Sequence, residues 1–550
     1  MKELVLKVHP ADNVIVALKD FKKGEKVHYQ GTDYVLATDV PMKHKFVTQN
    51  LAVGDSVYMY GVLVGKAMQP IQQGEMITVY NLKHAAQEYA AKRETKPWRI
   101  PNVEKWKDKT FLGYHRKDGS VGTANYWLVI PMVFCENRNL LVMKEALLDE
   151  LGYTKLNTFK SFTRKLINNY QTTGQLTETT WQAEVGLVDA PTQKRVFENV
   201  DGVKFLVHQM GCGGTRSDAQ ALCGLLAGYI THPNVAGATV LSLGCQHAQV
   251  EMLQEEIQKR DANFEKPLFV FEQQKIKSEQ QLIAMALQQT LLGIAEANKT
   301  ERKPAPLSKL TIGLECGGSD GFSGISANPA LGHTSDMIVA LGGTTILSEF
   351  PELAGVEQEL INRCKDDATA KKFADLMHLY DKRAKEAGSG FEANPSPGNI
   401  KDGLITDAIK SAGAAKKGGT SPIQAVLDYP EKSTEKGLNL LCTPGNDVES
   451  TTGLAAAGCN IIVFTTGLGT PTGNPIAPVI KVSSNTQLFE KMNDIIDFNA
   501  GTVITGEDTI ETSGEKLLDF IIEVASGKTQ TKAMLLGQDD FIPWKRGVSL

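Results

Sequence analysis

No stretch of the chain stays apolar for the roughly 20 residues that a membrane-spanning helix needs. The opening MKELVLKVHP lacks the apolar core of a secretory leader. There is no surplus of basic charge: 58 Lys and Arg stand against 63 Asp and Glu, a formal net charge of −5. That balance offers nucleic acid or an anionic membrane no field to bind. The eight cysteines contain no C-x-x-C pair and are scattered from Cys135 to Cys459. In a reducing compartment such thiols are free, catalytic or metal-bound rather than disulfide-paired. No G-x-G-x-x-G follows a first strand with an acid about 20 residues on, so a dinucleotide site is unsupported. No spacing yields a Cys-His-Asn set for thiol hydrolysis either. These absences leave a cytoplasmic protein without a nucleic-acid or membrane partner.

At 550 residues the chain is too long for one compact core. Residues 1–90 alternate short β-like runs (LVLKV, NVIVAL, SVYMYGVLVGKA) with turn signals, the pattern of a small all-β module. Residues 91–112 are charged and proline-interrupted, with Trp98 and Trp106, and read as a linker. Residues 113–309 contain a βαβ pattern, and residues 310–550 a series of buried-strand runs with polar ends. The fold class expected is therefore multidomain α/β.

Chemistry concentrates where strands end. The run KLTIGL reads as a buried parallel strand and leads into ECGGSDGFSGISANPALG, Glu315 to Gly332. Its glycines sit between a thiol, Cys316, a carboxylate, Asp320, and the hydroxyls of Ser319, Ser323 and Ser326. The carboxyl end of such a strand is where open α/β sheets bind ligands. The same logic places His208, Cys212 and Cys245 at strand ends in the middle region, and Glu349, Asn446, Asp447, Ser450 and Thr451 in the last one. Carboxylates and an imidazole supply proton transfer, a metal supplies charge stabilisation, and short polar side chains suit a hydroxyl-rich ligand.

These motifs closely resemble those of the altronate/galactarate dehydratase family, metal-dependent enzymes that remove water from sugar acids. CGGSDGFSGISANPALG, GCGGTRSD, HPN, TPGNDVESTTG and TTGLGTPTGNP all match in order, and the altronate branch is the closer one. The resemblance implies a β-clip (SAF-like) module, a middle α/β domain and a C-terminal Rossmann-like parallel sheet. It implies dehydration of D-altronate to 2-keto-3-deoxy-D-gluconate in hexuronate catabolism. The alternatives are dehydration of galactarate or another aldonate and, in another class, a sugar-acid-binding protein without catalysis. It also implies ferrous iron, with Mn2+ as a substitute, and a homodimer formed through the middle domain.

On this basis His208, Asp320 and Asp447 are expected to be catalytic. Ser319, Ser323, Asn446, Ser450 and Thr451 are expected to contact substrate, with Asn13 and His44 brought in by the family pattern. Metal could be held by Cys212, Cys245 and Cys316 as a labile iron–sulfur cluster, with Cys135 a possible fourth thiolate. The alternative set is His208, Asp320, Glu349 and Asp447. The chain departs from the family at Thr78 and Tyr80, where many relatives carry a His-x-His pair, and His84 beyond them reads as a solvated residue.

Overall fold

The computed structural model describes residues 4–90, 93–94, 97–154, 158–175 and 194–549. The first module is built entirely from antiparallel strands. One sheet joins Val5–Leu6, Val14–Ala17 and Lys45–Val47, and another joins Ser56–Met59, Val62–Ala67 and Leu82–Lys83. Lys26–Tyr29 and Thr32–Val35 form a separate hairpin. Its two turn residues, Gln30 and Gly31, both have positive φ, as do Tyr60 and Gly61 in the hairpin of the second sheet. Paired positive φ values give the turn whose twist matches that of the flanking strands.

The middle region holds a four-stranded parallel sheet in the order Gly202–Phe205, Tyr126–Pro131, Val235–Ser242, Leu268–Glu272. Tyr126–Pro131 and Val235–Ser242 are buried along their whole length, as the strands of a sheet covered on both faces must be. Entry and exit of this region are tied together, because Thr110–His115 pairs antiparallel with Lys303–Pro306.

The last region is a seven-stranded parallel sheet. Its order is Ile423–Leu427, Gly437–Leu441, Thr344–Leu347, Thr311–Cys316, Ile461–Thr466, Val479–Ser483, Phe498–Asn499. The first strand in sequence lies in the centre, and the chain winds outward from it to either side. The loops after Cys316 and Thr466 therefore diverge across a switch point, the place where open α/β sheets bind ligands.

Two shared cores fasten the regions. Val14, Val57 and Val64 of the first module lie in one apolar cluster with Leu314, Ile325 and Ala412 of the last. Leu225 and Leu226 of the middle region join Leu454 and Phe464 in a second. The stretch read as a linker lies against the last region: Trp106 is buried and its indole N–H donates to Asp519 at 2.7 Å. Arg93 reaches Asp367 and the Cys364 carbonyl. Among the described residues no helix is long and apolar enough to cross a membrane.

Candidate active site

Loops leaving the strands Thr311–Cys316, Thr344–Leu347 and Gly437–Leu441 meet over the carboxyl edge of the large sheet. There Cys316, Glu349 and Glu352 each present a ligand atom, and the three lie within 4.8 Å of one another. Glu349 reaches this position through a left-handed backbone, φ 64° and ψ 61°. That conformation costs a glutamate on the order of 1 kcal/mol, a strain the surroundings must hold. Thr443 supplies the hold: its hydroxyl accepts the Glu349 N–H at 2.8 Å and its carbonyl accepts the Phe350 N–H at 3.1 Å. The Glu349 Oε2 then accepts from the Cys316 N–H at 3.0 Å, while its Oε1 is buried without a partner.

Two lysines balance the acids. Lys417 Nζ lies 2.7 Å from both Cys316 Sγ and Glu349 Oε2, and Lys410 Nζ lies 2.7 Å from Glu352 Oε1. The Cys316 thiol donates to Glu352 Oε2 at 3.1 Å. Cys316, Glu349 and Lys417 are each no more than 1% exposed, so these charges act through a medium of low dielectric. Burial, with the Glu349 and Glu352 charges adding to it, pushes the Cys316 thiol well above its ordinary pKa. Burial opposes the Lys417 charge, but Cys316, Glu349, Glu352 and Glu315 outweigh it and raise its pKa well above the usual lysine range. Glu352 is likewise penalised by burial, yet Lys410 and Lys417 hold it below its ordinary value.

A further ring of groups surrounds the cluster. Glu315 accepts from Ser348 Oγ at 2.8 Å and Ser450 Oγ at 2.7 Å, and burial with the Glu349 charge raises its pKa strongly. Burial, then Glu349 and Glu352, pushes Asp447 up to about 7. Burial and Glu352 push Asp407 up to about 8. Gly317 lets Asp447 come close: a Cβ there would lie 2.3 Å from Asp447 Oδ2. One thiol and two carboxylates are donor types that suit a divalent ion of borderline softness such as ferrous iron, and Glu349 Oε1 and Glu315 Oε1 are the partnerless acceptors beside them, while Lys417 and Lys410 engage Cys316 Sγ, Glu349 Oε2 and Glu352 Oε1.

Three family models match the chain in succession. Residues 3–85 match the altronate/galactarate dehydratase SAF domain, and residues 113–298 the second domain of D-galactarate dehydratase/altronate hydrolase. Residues 307–549 match the D-galactarate/altronate dehydratase C-terminal domain. The altronate dehydratase of Bacillus subtilis (strain 168) is 35% identical over 529 residues, 95% of either chain. The chain belongs to the altronate/galactarate dehydratase family. Two relatives from Escherichia coli (strain K12) are similar as well. Altronate dehydratase is 33% identical over 95% of either chain. Galactarate dehydratase (L-threo-forming) is 32% identical over 96% of this chain and 93% of its own.

Within this dehydratase fold, the residues singled out from sequence are distributed over several places. Glu349, Cys316, Asp447 and Ser450 come together at the cluster, joining one member of the three-thiol set to members of the oxygen-ligand set. Cys212 and Cys245 do not join them, for both are exposed at the edge of the middle sheet whereas Cys316 is buried in the large one. The expected convergence of these three thiols is thus corrected by topology: their strands belong to two different sheets.

His208 also stays in the middle region. Its Nε2–H donates to the Pro131 carbonyl at 2.8 Å and its Nδ1 accepts from the Met210 N–H at 3.1 Å. Burial holds its pKa down at about 4, so it is a neutral imidazole with both nitrogens engaged, not a base at the cluster. Asp320 is saturated too. It accepts from Ser323 Oγ at 2.9 Å, Ser484 Oγ at 2.8 Å, Asn485 Nδ2 at 3.2 Å and two backbone N–H groups, and pairs with Lys43 at 3.1 Å. With every lone pair occupied it serves as a bolt between the first module and the large sheet rather than as an open metal ligand. Ser323 belongs to that bolt, and the Ser319 carbonyl accepts from Asn399 Nδ2 at 2.7 Å.

Asn446 caps the helix Asp447–Ala457, which leaves Asp447 free of the capping role. Thr451 donates back to the Asp447 carbonyl at 2.9 Å within that helix. Asn13 pins its own module, bonding the Ser56 carbonyl and the Tyr58 N–H, and His44 faces the Met42 carbonyl. The neighbouring Lys43 and Lys45 make the contacts across, Lys45 Nζ donating to the Gly403 carbonyl at 2.6 Å. Thr78 and Asn81 close a turn, Asn81 Oδ1 accepting the Thr78 N–H at 2.7 Å. His84 is half-buried rather than fully solvated: its Nδ1 accepts from the Ala408 N–H at 3.3 Å, at the start of the helix that carries Lys410.

Lys410 and Lys417 were not legible as site residues, and Glu352 and Glu315 carried no assigned role. Both lysines of the small-residue run SAGAAKKGG read as surface residues, yet Lys416 is half-buried and Lys417 is buried.

Proposed function

We propose that this protein is a hydro-lyase that dehydrates D-altronate to 2-keto-3-deoxy-D-gluconate in the breakdown of hexuronates. The observation that carries the reading is the buried Cys316–Glu349–Glu352 group, set beside Asp447 at the strand ends of the large sheet, in a chain that matches altronate dehydratases over 95% of its length. Removing water across C2–C3 requires a base for the C2 proton and help for the departing hydroxide. Asp447, with its carboxyl pushed up to about 7, exchanges a proton near neutral pH and takes the role of base. The Lys410–Glu352 and Lys417–Glu349 pairs orient the carboxylates and offset their charge. Cys316, Glu349 and Glu352 would hold the metal, ferrous iron with Mn2+ as a substitute, which supplies a Lewis acid for the enediolate and the leaving hydroxyl.

We place the enzyme in the cytoplasm as a homodimer, which sedimentation velocity on the purified chain would check. The substrate is tested by anaerobic incubation of the iron-loaded chain with D-altronate, galactarate and other aldonates, scoring 2-keto acid formation. Highest kcat/KM on D-altronate supports the reading. Preference for galactarate moves the substrate within the family, and binding of every aldonate without turnover contradicts the enzyme altogether.

A further inference from the structure

The loops at the carboxyl edge of the middle sheet carry three cysteines. Three neighbouring strands, Gly202–Phe205, Tyr126–Pro131 and Val235–Ser242, run into loops bearing Cys212, Cys135 and Cys245. All three thiols are exposed, whereas Cys223, Cys316, Cys364, Cys442 and Cys459 are buried. The loops are stitched to one another. The Phe134 N–H donates to the Met210 carbonyl at 3.1 Å, and the His247 and Ala248 N–H groups donate to the Gly211 carbonyl at 3.0 and 3.2 Å.

Backbone conformation shapes these turns around the thiols. Gly211 and Gly213 flank Cys212 with φ of 103° and 63°, and Gly244 precedes Cys245 with φ 122°. Only glycine adopts such angles readily. A Cβ on Gly211 would lie 2.2 Å from the Met132 carbonyl oxygen, so this close approach of loop to loop also excludes any side chain. A cavity of about 290 Å³ opens here, lined by Phe134, Cys212, Thr215 and His247 among others. The helix Arg216–Thr231 begins beside it, and a helix amino terminus stabilises thiolate over thiol. Gln274 Nε2 lies 3.3 Å from Cys245 Sγ, a hydrogen bond to sulfur of the kind that tunes cluster thiolates.

The ligand class follows from softness and spacing. Thiolates select iron–sulfur clusters, zinc or cuprous ions over hard cations. A single tetrahedral ion with metal–sulfur bonds of about 2.3 Å draws its sulfurs close together. Among the described residues, however, Cys316, Glu349 and Glu352 are the one group of three such ligands within 4.8 Å. Cys135, Cys212 and Cys245 are not in that group, so they do not make the tight shell of a single ion, whereas a polynuclear cluster takes its thiolates from separate loops. We propose that Cys135, Cys212 and Cys245 hold an iron–sulfur cluster on the middle domain, separate from the divalent-ion site at Cys316. His247, whose Nδ1 faces the Gly214 carbonyl at 3.1 Å and whose ring lines the same cavity, is the nearby non-thiol donor for a remaining iron.

The test is anaerobic reconstitution of the full chain with ferrous iron and sulfide, followed by desalting and quantitation of iron and acid-labile sulfide. Wild type and Cys316→Ser are expected to retain sulfide equally. Cys135→Ser, Cys212→Ser and Cys245→Ser are each expected to lose it by about tenfold. Circular dichroism and a parallel Cys→Ala series separate ligand loss from misfolding. Iron without sulfide in the wild type overturns the cluster and leaves the Cys316 site standing. Sulfide unchanged in all three single variants, or lost in Cys316→Ser alone, also overturns it.

Discussion

At the scale of single residues, the site is governed by charges that burial makes expensive. Lys417 is 1% exposed and touches Cys316 and Glu349 together. Removing one partner of a buried ion pair strands the other, at a cost of about 3–5 kcal/mol. Lys417→Met is therefore expected to lower the urea-unfolding free energy by about that amount in metal-free protein, and a loss below about 1 kcal/mol would contradict the arrangement. His208 gives a pH signature of its own. Its folded pKa of about 4 lies below the roughly 6.5 of an unfolded histidine. Between those values the unfolded chain binds a proton that the folded chain refuses. The stability contributed by neutral His208 is thus full above about pH 6.5 and is lost as pH falls toward 4. His208→Gln should flatten part of the acid-side fall in urea midpoint, and an unchanged slope would show the ring to be solvated. Residue identity was the least legible level. Glu349 and Asp447 were recognisable because they follow strands, but Lys410 and Lys417 come from a helix and its end and reach the cluster only through packing.

At the scale of elements, the strand-end loops carry the candidate site, and glycines set how closely they meet. Gly317→Ala would drive a Cβ to 2.3 Å from Asp447 Oδ2. Turnover is expected to fall by about 100-fold, because a proton-transfer group displaced from hydrogen-bond reach loses its effect. Retention of activity within about threefold would mean that Asp447 takes no part in the proton transfer. The parallel strands themselves were plain in sequence, since KLTIGL, NIIVF and VIKVSS are continuous apolar runs. Which loops meet was not, because neighbourhood in a sheet depends on crossovers that local periodicity does not encode. That is why Cys212 and Cys245 were grouped with Cys316: all three end strands, but of different sheets.

At the scale of the whole molecule, the first module is built into the last region rather than tethered to it. Its Tyr60 hydroxyl stands where a Cβ on Gly324 would fall, 2.3 Å away, and Lys43 pairs with Asp320 and Asp402. Gly324→Ala should loosen this docking, which limited proteolysis would report as faster cleavage of the first module, and an unaltered digestion pattern would count against a rigid junction. The all-β character of that module was legible from its alternation and turns, whereas its seat on the last region rests on long-range contacts absent from any local pattern. The central claim is that Cys316, Glu349 and Glu352 form the metal-bearing heart of a sugar-acid dehydratase. The measurement that tests it most directly is the anaerobic rate of 2-keto acid formation from D-altronate by Glu349→Gln and wild type, side by side at saturating ferrous iron. The expected result is turnover by the wild type and a loss of about 100-fold or more in the folded variant, whereas a variant within about threefold of wild type would contradict the account.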